Sequence, residues 1–358
     1  MATEFITRLS SDYPELTCDI NSIRARTSKV KVTASLVRDP EGEIDEFFST
    51  TLYAFNGVVE LVDVGRLIEQ RFREKNTLGT TMMACVIDGV QLDFCAQYCE
   101  ALMSPDFDLR DSFYTVAPVQ IVHDNSYISL AHWSYGHRRY RVQVVGIGYY
   151  GETVSVEREF TRSASSQCVS FPVYEILDWA LNKTDEEAGA DIARVSYFAI
   201  SYEKAQKIFY LVNQPFYLTF CFRNVFNVWE YLDVSGTIKQ KTKVDRVIAV
   251  CSGYARHYDQ KTERTYEVTT GPLTVYEARA IEQLIMSHDV QLITSAENYN
   301  ILITDHTIEQ DNDDSTLTSI KFTFRFASER VQFTATEIED LSPNRSSIFS
   351  KEFTAEFA

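Results

Sequence analysis

The segment Tyr140–Thr161, with the sequence YRVQVVGIGYYGETVSVEREFT, sets a pattern that the rest of the chain repeats. Apolar and polar residues alternate on both sides of Gly151-Glu152, which is typical of two antiparallel β-strands joined by a turn. An apolar stripe follows from about Pro172 and has the spacing of a helix; its members are Val173, Ile176, Leu177, Ala180 and Leu181. The segment therefore predicts two strands followed by a helix.

The same order of elements is predicted once before this segment and once after it. The first strand pair is Lys31–Val37 with Ile44–Ala54, and a helix starts at about Asp63. The third pair is Val247–Tyr258 with Arg264–Thr270, joined by a polar turn at 259–263. Its helix opens with Thr274-Val-Tyr-Glu277, which fits a capping box. A further hairpin is predicted after each helix, at Thr80–Gln91, Arg194–Val212 and Val290–Asp305.

The fold class follows from this repetition. The helices lie about 105 residues apart, which is the length of a domain and not of a solenoid repeat. We expect a mainly β protein with a few helices (α+β), built of tandem β-sandwich-like domains as three ββαββ pseudo-repeats. The predicted domains are residues 1–120, 121–232 and 233–340, each β-rich with one helix, followed by a C-terminal tail, 341–358.

Charge and composition exclude several classes of protein. The chain of 358 residues has 34 Lys and Arg against 51 Asp and Glu, a net charge of −17. This balance argues against nucleic acid as a partner, because phosphates repel an acidic surface. The N-terminal segment lacks the pattern of a signal peptide and no run of about 18 apolar residues occurs, so we expect synthesis in the cytoplasm and no membrane insertion.

Motifs that could carry chemistry are weak. Gly146-Ile-Gly148-Tyr-Tyr-Gly151 has the letters of a dinucleotide fingerprint, but the next residues alternate like a strand, so we predict a hairpin. Acidic stretches at 309–314 and at 106–111 favour solvated loops over calcium sites. The seven cysteines form no CxxC pair, and HExxH and GxSxG do not occur. We expect no enzyme, no cofactor, no metal site and no catalytic residue.

Two groups of aromatic residues are candidates for contact with a ligand or partner. The first group is Trp133, Tyr135, His137 and Tyr140. Its rings could stack on sugars or anchor a protein, or they could form a cross-strand aromatic ladder beside a turn at Gly136. The second group lies in the C-terminal tail and consists of Phe349, Phe353 and Phe357, which could dock on a neighbour.

Several stretches carry a family resemblance. They are Asp93–Leu102, Phe222–Glu230, Thr270–Ala278, Leu284–Val290, Ile303–Asp305 and Phe322–Phe326. Together they resemble structural proteins, of the tail or baseplate type, from tailed phages and prophages of gut Bacteroidales. The resemblance implies a virion subunit without an active site, located in the tail, which forms a homo-oligomeric ring and contacts other tail proteins.

Two alternative functions stay open at this point. A glycan-cleaving enzyme would need two carboxylates facing each other in a cleft, and the sequence offers 51 acidic residues with no way to pair them. A carbohydrate-binding or adhesive β-sandwich protein would use the first aromatic group, above all Trp133 and Tyr135, as stacking platforms.

Overall fold

A computed structural model describes most of the chain. The described residues are 3–38, 45–75, 79–101, 103–104, 107–133, 137–163, 168–181, 192–212, 217–251, 253–294, 298–308 and 319–328. Within these ranges the protein is mainly β, with three α-helices and several separate sheets. The predicted fold class, a mainly β α+β protein of tandem sandwich-like units, is confirmed.

The first unit is a sandwich of two sheets with one helix. Its strands are β1 (Glu4–Phe5), β2 (Pro14–Leu16), β3 (Ser22–Arg26), β4 (Lys31–Arg38), β5 (Asp45–Tyr53), β6 (Val58–Val62), β7 (Thr80–Ile87) and β8 (Val90–Gln97), and its helix is α1 (Val64–Glu74). The larger sheet has the order β2-β8-β7-β4-β5 and the smaller one has the order β1-β3-β6. Fully buried side chains such as Ile23, Phe72 and Phe94 form the core of this unit.

The second unit repeats the topology of the first. Its strands are β9 (Val119–Val122), β10 (Tyr127–Ala131), β11 (His137–Gly148), β12 (Thr153–Ser163), β13 (Cys168–Pro172), β14 (Ile192–Tyr202) and β15 (Ala205–Leu211), and its helix is α2 (Val173–Leu181). The larger sheet, β12-β11-β14-β15-β9, matches β5-β4-β7-β8-β2 strand for strand. In both sheets the last strand of this order joins in parallel. The β10-β13 pair likewise corresponds to β3-β6.

The third unit closes into a barrel. Its strands are β16 (Tyr217–Arg223), β17 (Trp229–Cys251), β18 (Tyr254–Thr270), β19 (Val290–Ile293), β20 (Asn298–Ile308) and β21 (Ile320–Phe326), and its helix is α3 (Val275–Met286). The order around the barrel is β16-β17-β18-β21-β20-β19. Compared with the sandwiches, β16 is inserted between β17 and β19, and β21 joins β18 to β20. The predicted capping box of α3 is present, with Thr274 and Glu277 in the expected roles.

Strand pairing tests the predicted turns. The glycines at 146, 148 and 151 lie in or beside the β11–β12 hairpin, as predicted, so they do not open a helix. The turn predicted at 259–263 is wrong, because these residues lie inside β18 and pair with β17. The chain reverses instead between Cys251 and Tyr254, with Gly253 at φ +82°. The polar run looked like a turn because both faces of this hairpin are exposed, which removes the alternation that marks a half-buried strand.

The predicted domain limits can be located on these sheets. The limit after residue 120 falls inside β9, and the limit after residue 232 falls inside β17. β16, assigned by the prediction to the middle domain, pairs with β17 and β19 of the barrel. The division of the chain into independent domains stays a prediction.

Candidate functional site

A long hairpin projects from the barrel. β17 and β18 are 23 and 17 residues long and stay paired from Gly236 and Thr270 to Cys251 and Tyr254. Neighbouring strands cover only the barrel end of this hairpin, since β16 pairs with residues 229–235 and β21 pairs with residues 266–269. We call residues 239–264 the arm. In the described part of the chain, neither edge of the arm has a strand beside it.

The arm exposes apolar side chains. Val250 is 73% exposed, Tyr254 is 72% exposed and Tyr258 is 80% exposed. Val247 and Ile248 are also more than half exposed. A folded monomer rarely presents several neighbouring large apolar side chains to water, and such patches mark surfaces that bind another molecule. Free strand edges add unpaired backbone donors and acceptors to the same region.

The charge of the arm differs from that of the chain. Residues 239–264 contain seven Lys and Arg against three Asp and Glu, a net charge of +4. Because the whole chain carries −17, the remaining residues carry −21. The protein is therefore an acidic body with a basic arm.

Buried polar networks hold the base of the arm against the second sandwich. Lys207 of β15 donates to Glu230 of β17 at 2.6 Å, and the side chains of this ion pair are 1% and 8% exposed. Asp233 lies three residues further along β17. Its carboxylate accepts a hydrogen bond from the backbone N–H of His123, which follows β9, and the same oxygen is hydrogen-bonded to Nδ1 of the His123 imidazole. Two fully buried polar anchors on β17 therefore fix where the arm starts.

A cavity of about 390 Å³ lies where the first sandwich meets the barrel. Two ion pairs line it, Arg73 with Glu100 at 2.5 Å and Arg223 with Asp289 at 3.2 Å. Gln283 of α3 is 8% exposed, and its Oε1 atom accepts no hydrogen bond from the described residues. Each guanidinium in the lining faces a carboxylate, so the lining is close to neutral overall.

The first predicted aromatic group is only partly described. Tyr135 lies outside the described residues, as does the side chain of His137, and Trp133 is half-buried. Tyr140 is fully buried, contacts Phe171 edge to face, and forms a hydrogen bond of 2.8 Å with Nε2 of His132. This position makes Tyr140 a core residue and favours the cross-strand aromatic arrangement. Phe349, Phe353 and Phe357 of the tail lie outside the described residues.

Burial of His132 makes stability depend on pH. Burial, together with the nearby charge of Arg138, lowers the pKa of His132 from 6.5 to about 4. The unfolded chain therefore binds this proton more readily than the folded one, so the stability is complete above about pH 6.5 and is lost as the pH falls towards 4. We expect the titration of His132 alone to lower the free energy of unfolding by about 2 to 3 kcal/mol when the pH falls from 7 to 4.5.

Urea unfolding of the wild type and of His132→Gln at both pH values measures this effect. The variant lacks the titrating imidazole, so its stability is expected to change less with pH. Parallel pH dependences of the two proteins would contradict the assignment.

Acidic loop residues that were considered for a cation have other partners. Asp108 pairs with Arg110 at 3.2 Å, and Asp111 pairs with Lys204. The stretch 309–314 and Asp106 lie outside the described residues. Within the described ranges, no group of three His, Cys, Asp or Glu side chains is arranged to hold a metal ion. In these same ranges, none of the helices has the length and apolarity needed to cross a bilayer.

Sequence reasoning missed the arm as a site. It divided the region into two shorter strands and a turn, and it gave attention to aromatic residues near position 133. The available signal was the region 239–264 itself, which is basic in an acidic chain and has few Gly or Pro residues to end a strand.

Comparisons with known proteins place the chain in no family. No family model matches it, and no curated protein matches it. One similar solved structure is the tail of an empty GTA particle with C6 symmetry, at 11% identity over 31% of this chain and 91% of that chain, with a TM-score of 0.22. Another is the calcium binding domain CBD12 of CALX1.1, at 8% identity over 56% of this chain and 79% of that chain, with a TM-score of 0.19. At these scores neither likeness establishes a function.

Proposed function

We propose that this chain is a structural subunit of a phage virion, in the tail or baseplate, which assembles with copies of itself and with other tail proteins. The arm is the observation that carries the proposal. It combines exposed apolar side chains with two strand edges that no described strand covers, on a barrel that is otherwise closed. Such a surface is stabilised when another molecule covers it, and a repeated subunit provides that cover at every position of a ring.

The buried polar groups fit a structural role. Ser126, His123 and Asp233 are close together, but Ser126 Oγ donates to the carboxylate of Asp233 instead of to the imidazole. A nucleophile activated by a base needs the hydroxyl to face the base. All three side chains are also buried at the junction of the second sandwich and the barrel, where they hold the two together.

Electron microscopy of the purified protein at high concentration tests the proposal. We expect closed rings or stacked tubes from the wild type. The matched variant has residues 244–262 replaced by Asn-Gly, which closes the hairpin on the paired residues Lys243 and Glu263. We expect this variant to fold, because the barrel core lies below the cut, and to stay monomeric.

Two outcomes would overturn the proposal. One is a wild type that remains monomeric at every concentration tested. The other is a monomer that binds glycans on an array and loses that binding on Trp133→Ala, which would support the carbohydrate-binding alternative.

A further inference from the structure

The two faces of the arm differ in where their carboxylates lie. Residues that are opposite in an antiparallel pair share a face, and the side chains alternate along each strand. The pairing therefore places Val244, Arg246, Ile248 and Val250 on one face together with Thr262, Gln260, His257 and Ala255. We call this set the apolar–basic face. The three carboxylates of the arm, Asp245, Asp259 and Glu263, lie on the opposite face.

Among the described residues, Arg246 of the apolar–basic face has no carboxylate partner. Arg246 forms no ion pair with the residues that the structure describes, and it stands between Val244 and Ile248, which are 39% and 63% exposed. On the opposite face, Lys243 pairs with Asp245 at 3.0 Å and Lys241 pairs with Glu267 at 2.5 Å. Lys239, Arg256 and Lys261 of that face form no ion pair with the described residues, and Val247 and Tyr254 are exposed there. The apolar–basic face therefore combines exposed apolar side chains with a cation, and it carries none of the arm's three carboxylates.

From this asymmetry we infer that the apolar–basic face binds the acidic surface of a second copy of this chain. The inference rests on the proposed function and names the surface and the force that joins the subunits. A second copy offers a body with a charge of −21, which attracts the arm, whereas the body of each subunit repels that of its neighbour. Once the charges have aligned the subunits, the apolar side chains are buried in the contact, and their removal from water stabilises it.

Other partners fit the same face less well. Nucleic acid and anionic membranes offer only negative charge to the acidic body of −21, whereas a second copy brings a basic arm of its own that can meet that body. A copy of the chain is acidic by its composition.

Arg246→Glu tests the inference, with Lys31→Glu as the control. Both variants change the charge by the same amount, and Lys31 is exposed on β4, far from the arm in the sequence. Sedimentation velocity is measured on the full chain at 50 and 500 mM NaCl. We expect Arg246→Glu to weaken self-association at least about tenfold at low salt, because a like charge then faces the acidic partner. Wild type and Lys31→Glu are expected to associate alike at low salt and to weaken in high salt.

The outcomes separate this inference from the proposed function. Rings that form equally well with Arg246→Glu, or whose formation does not depend on salt, would overturn the inference while the structural role stands. A wild type that does not associate at all overturns both. Binding of a DNA duplex or of anionic vesicles that Arg246→Glu removes from a monomeric protein would also overturn the inference. Circular dichroism and thermal unfolding of each variant verify that the barrel is intact.

Discussion

Replacing Glu230 by glutamine is expected to lower the free energy of unfolding by about 3 to 5 kcal/mol, because the buried ammonium of Lys207 loses its counter-charge. Lys207 is 1% exposed and lies 2.6 Å from Oε1 of Glu230. The same carboxylate accepts hydrogen bonds from Thr115 at 2.7 Å and from Asn224 at 2.9 Å. The amide of glutamine has one acceptor oxygen for these three donors, so at least one buried donor loses its partner.

Urea unfolding at pH 7 measures this change, and Glu60→Gln is the matched control. Glu60 is an exposed carboxylate that accepts from Ser22 and lies 3.9 Å from Arg24. Its loss is expected to cost at most about 1 kcal/mol. The double variant Lys207→Met/Glu230→Leu removes both charges and is expected to be more stable than Glu230→Gln. If Glu230→Gln lowers the free energy of unfolding no more than Glu60→Gln does, the ammonium of Lys207 must reach solvent.

Asp233→Asn is expected to cost about 2 to 4 kcal/mol, because one buried carboxylate serves several donors. Its oxygens accept from the backbone N–H of His123 at 3.1 Å, from Thr219 at 2.6 Å and from Ser126. The imidazole of His123 also lies 3.1 Å away and stacks on Tyr217, with ring centres 3.6 Å apart. In the asparagine variant, an NH2 group takes the place of one carboxylate oxygen, so a donor then faces the donors that this oxygen had served.

Equilibrium unfolding together with amide hydrogen exchange checks this second prediction. The exchange of residues 119–126 is expected to accelerate, since these residues are held to β17 through Asp233. Asp245→Asn, on the exposed part of the same strand, is the control and is expected to change neither quantity measurably. Unchanged exchange at 119–126 would show that the apolar core alone joins the second sandwich to the barrel.

The hydrogen-bond networks of Glu230 and Asp233 are expected to affect assembly, because they hold β17 in place. Glu230 and Asp233 belong to the barrel end of the strand, and the arm begins six residues beyond Asp233. A hairpin held at its base by buried ionic contacts projects in one direction, and it loses less conformational entropy when it binds a neighbour than a loose loop would. Variants of these two residues should therefore weaken self-association as well as stability.

Local features of the fold were predictable where the physics is local. The capping box at Thr274 and Glu277 needs only the spacing of a hydroxyl and a carboxylate in one helical turn. The hairpin at Asp88-Gly89 needs two residues that tolerate positive φ, and both have it, at +54° and +79°. The strand-and-helix order of the two sandwiches follows from alternation and from the apolar stripes of α1 and α2.

Long-range features were not predictable from the same patterns. A segment around Phe222–Glu230 was recognised as a family pattern, but its Asn224 and Glu230 turn out to be joined by a buried hydrogen bond at the edge of the barrel. Tyr140 belongs to the aromatic group predicted either to contact a ligand or to form a cross-strand ladder, and in the structure it is fully buried against Tyr202 and His132. In both cases the neighbours that decide the role come from other parts of the chain.

The sequence by itself determined that this is a mainly β protein of repeated sandwich-like units, because side-chain alternation and helix capping act between residues a few positions apart. Only the tertiary structure decided that the third unit closes into a barrel and that β17 and β18 continue beyond it as an arm. Strand order depends on backbone hydrogen bonds between distant segments, and these bonds are the same for every residue type except proline. Exposure likewise depends on which segments come to lie beside a strand, and in the described part of the chain no strand lies beside the basic run of the arm.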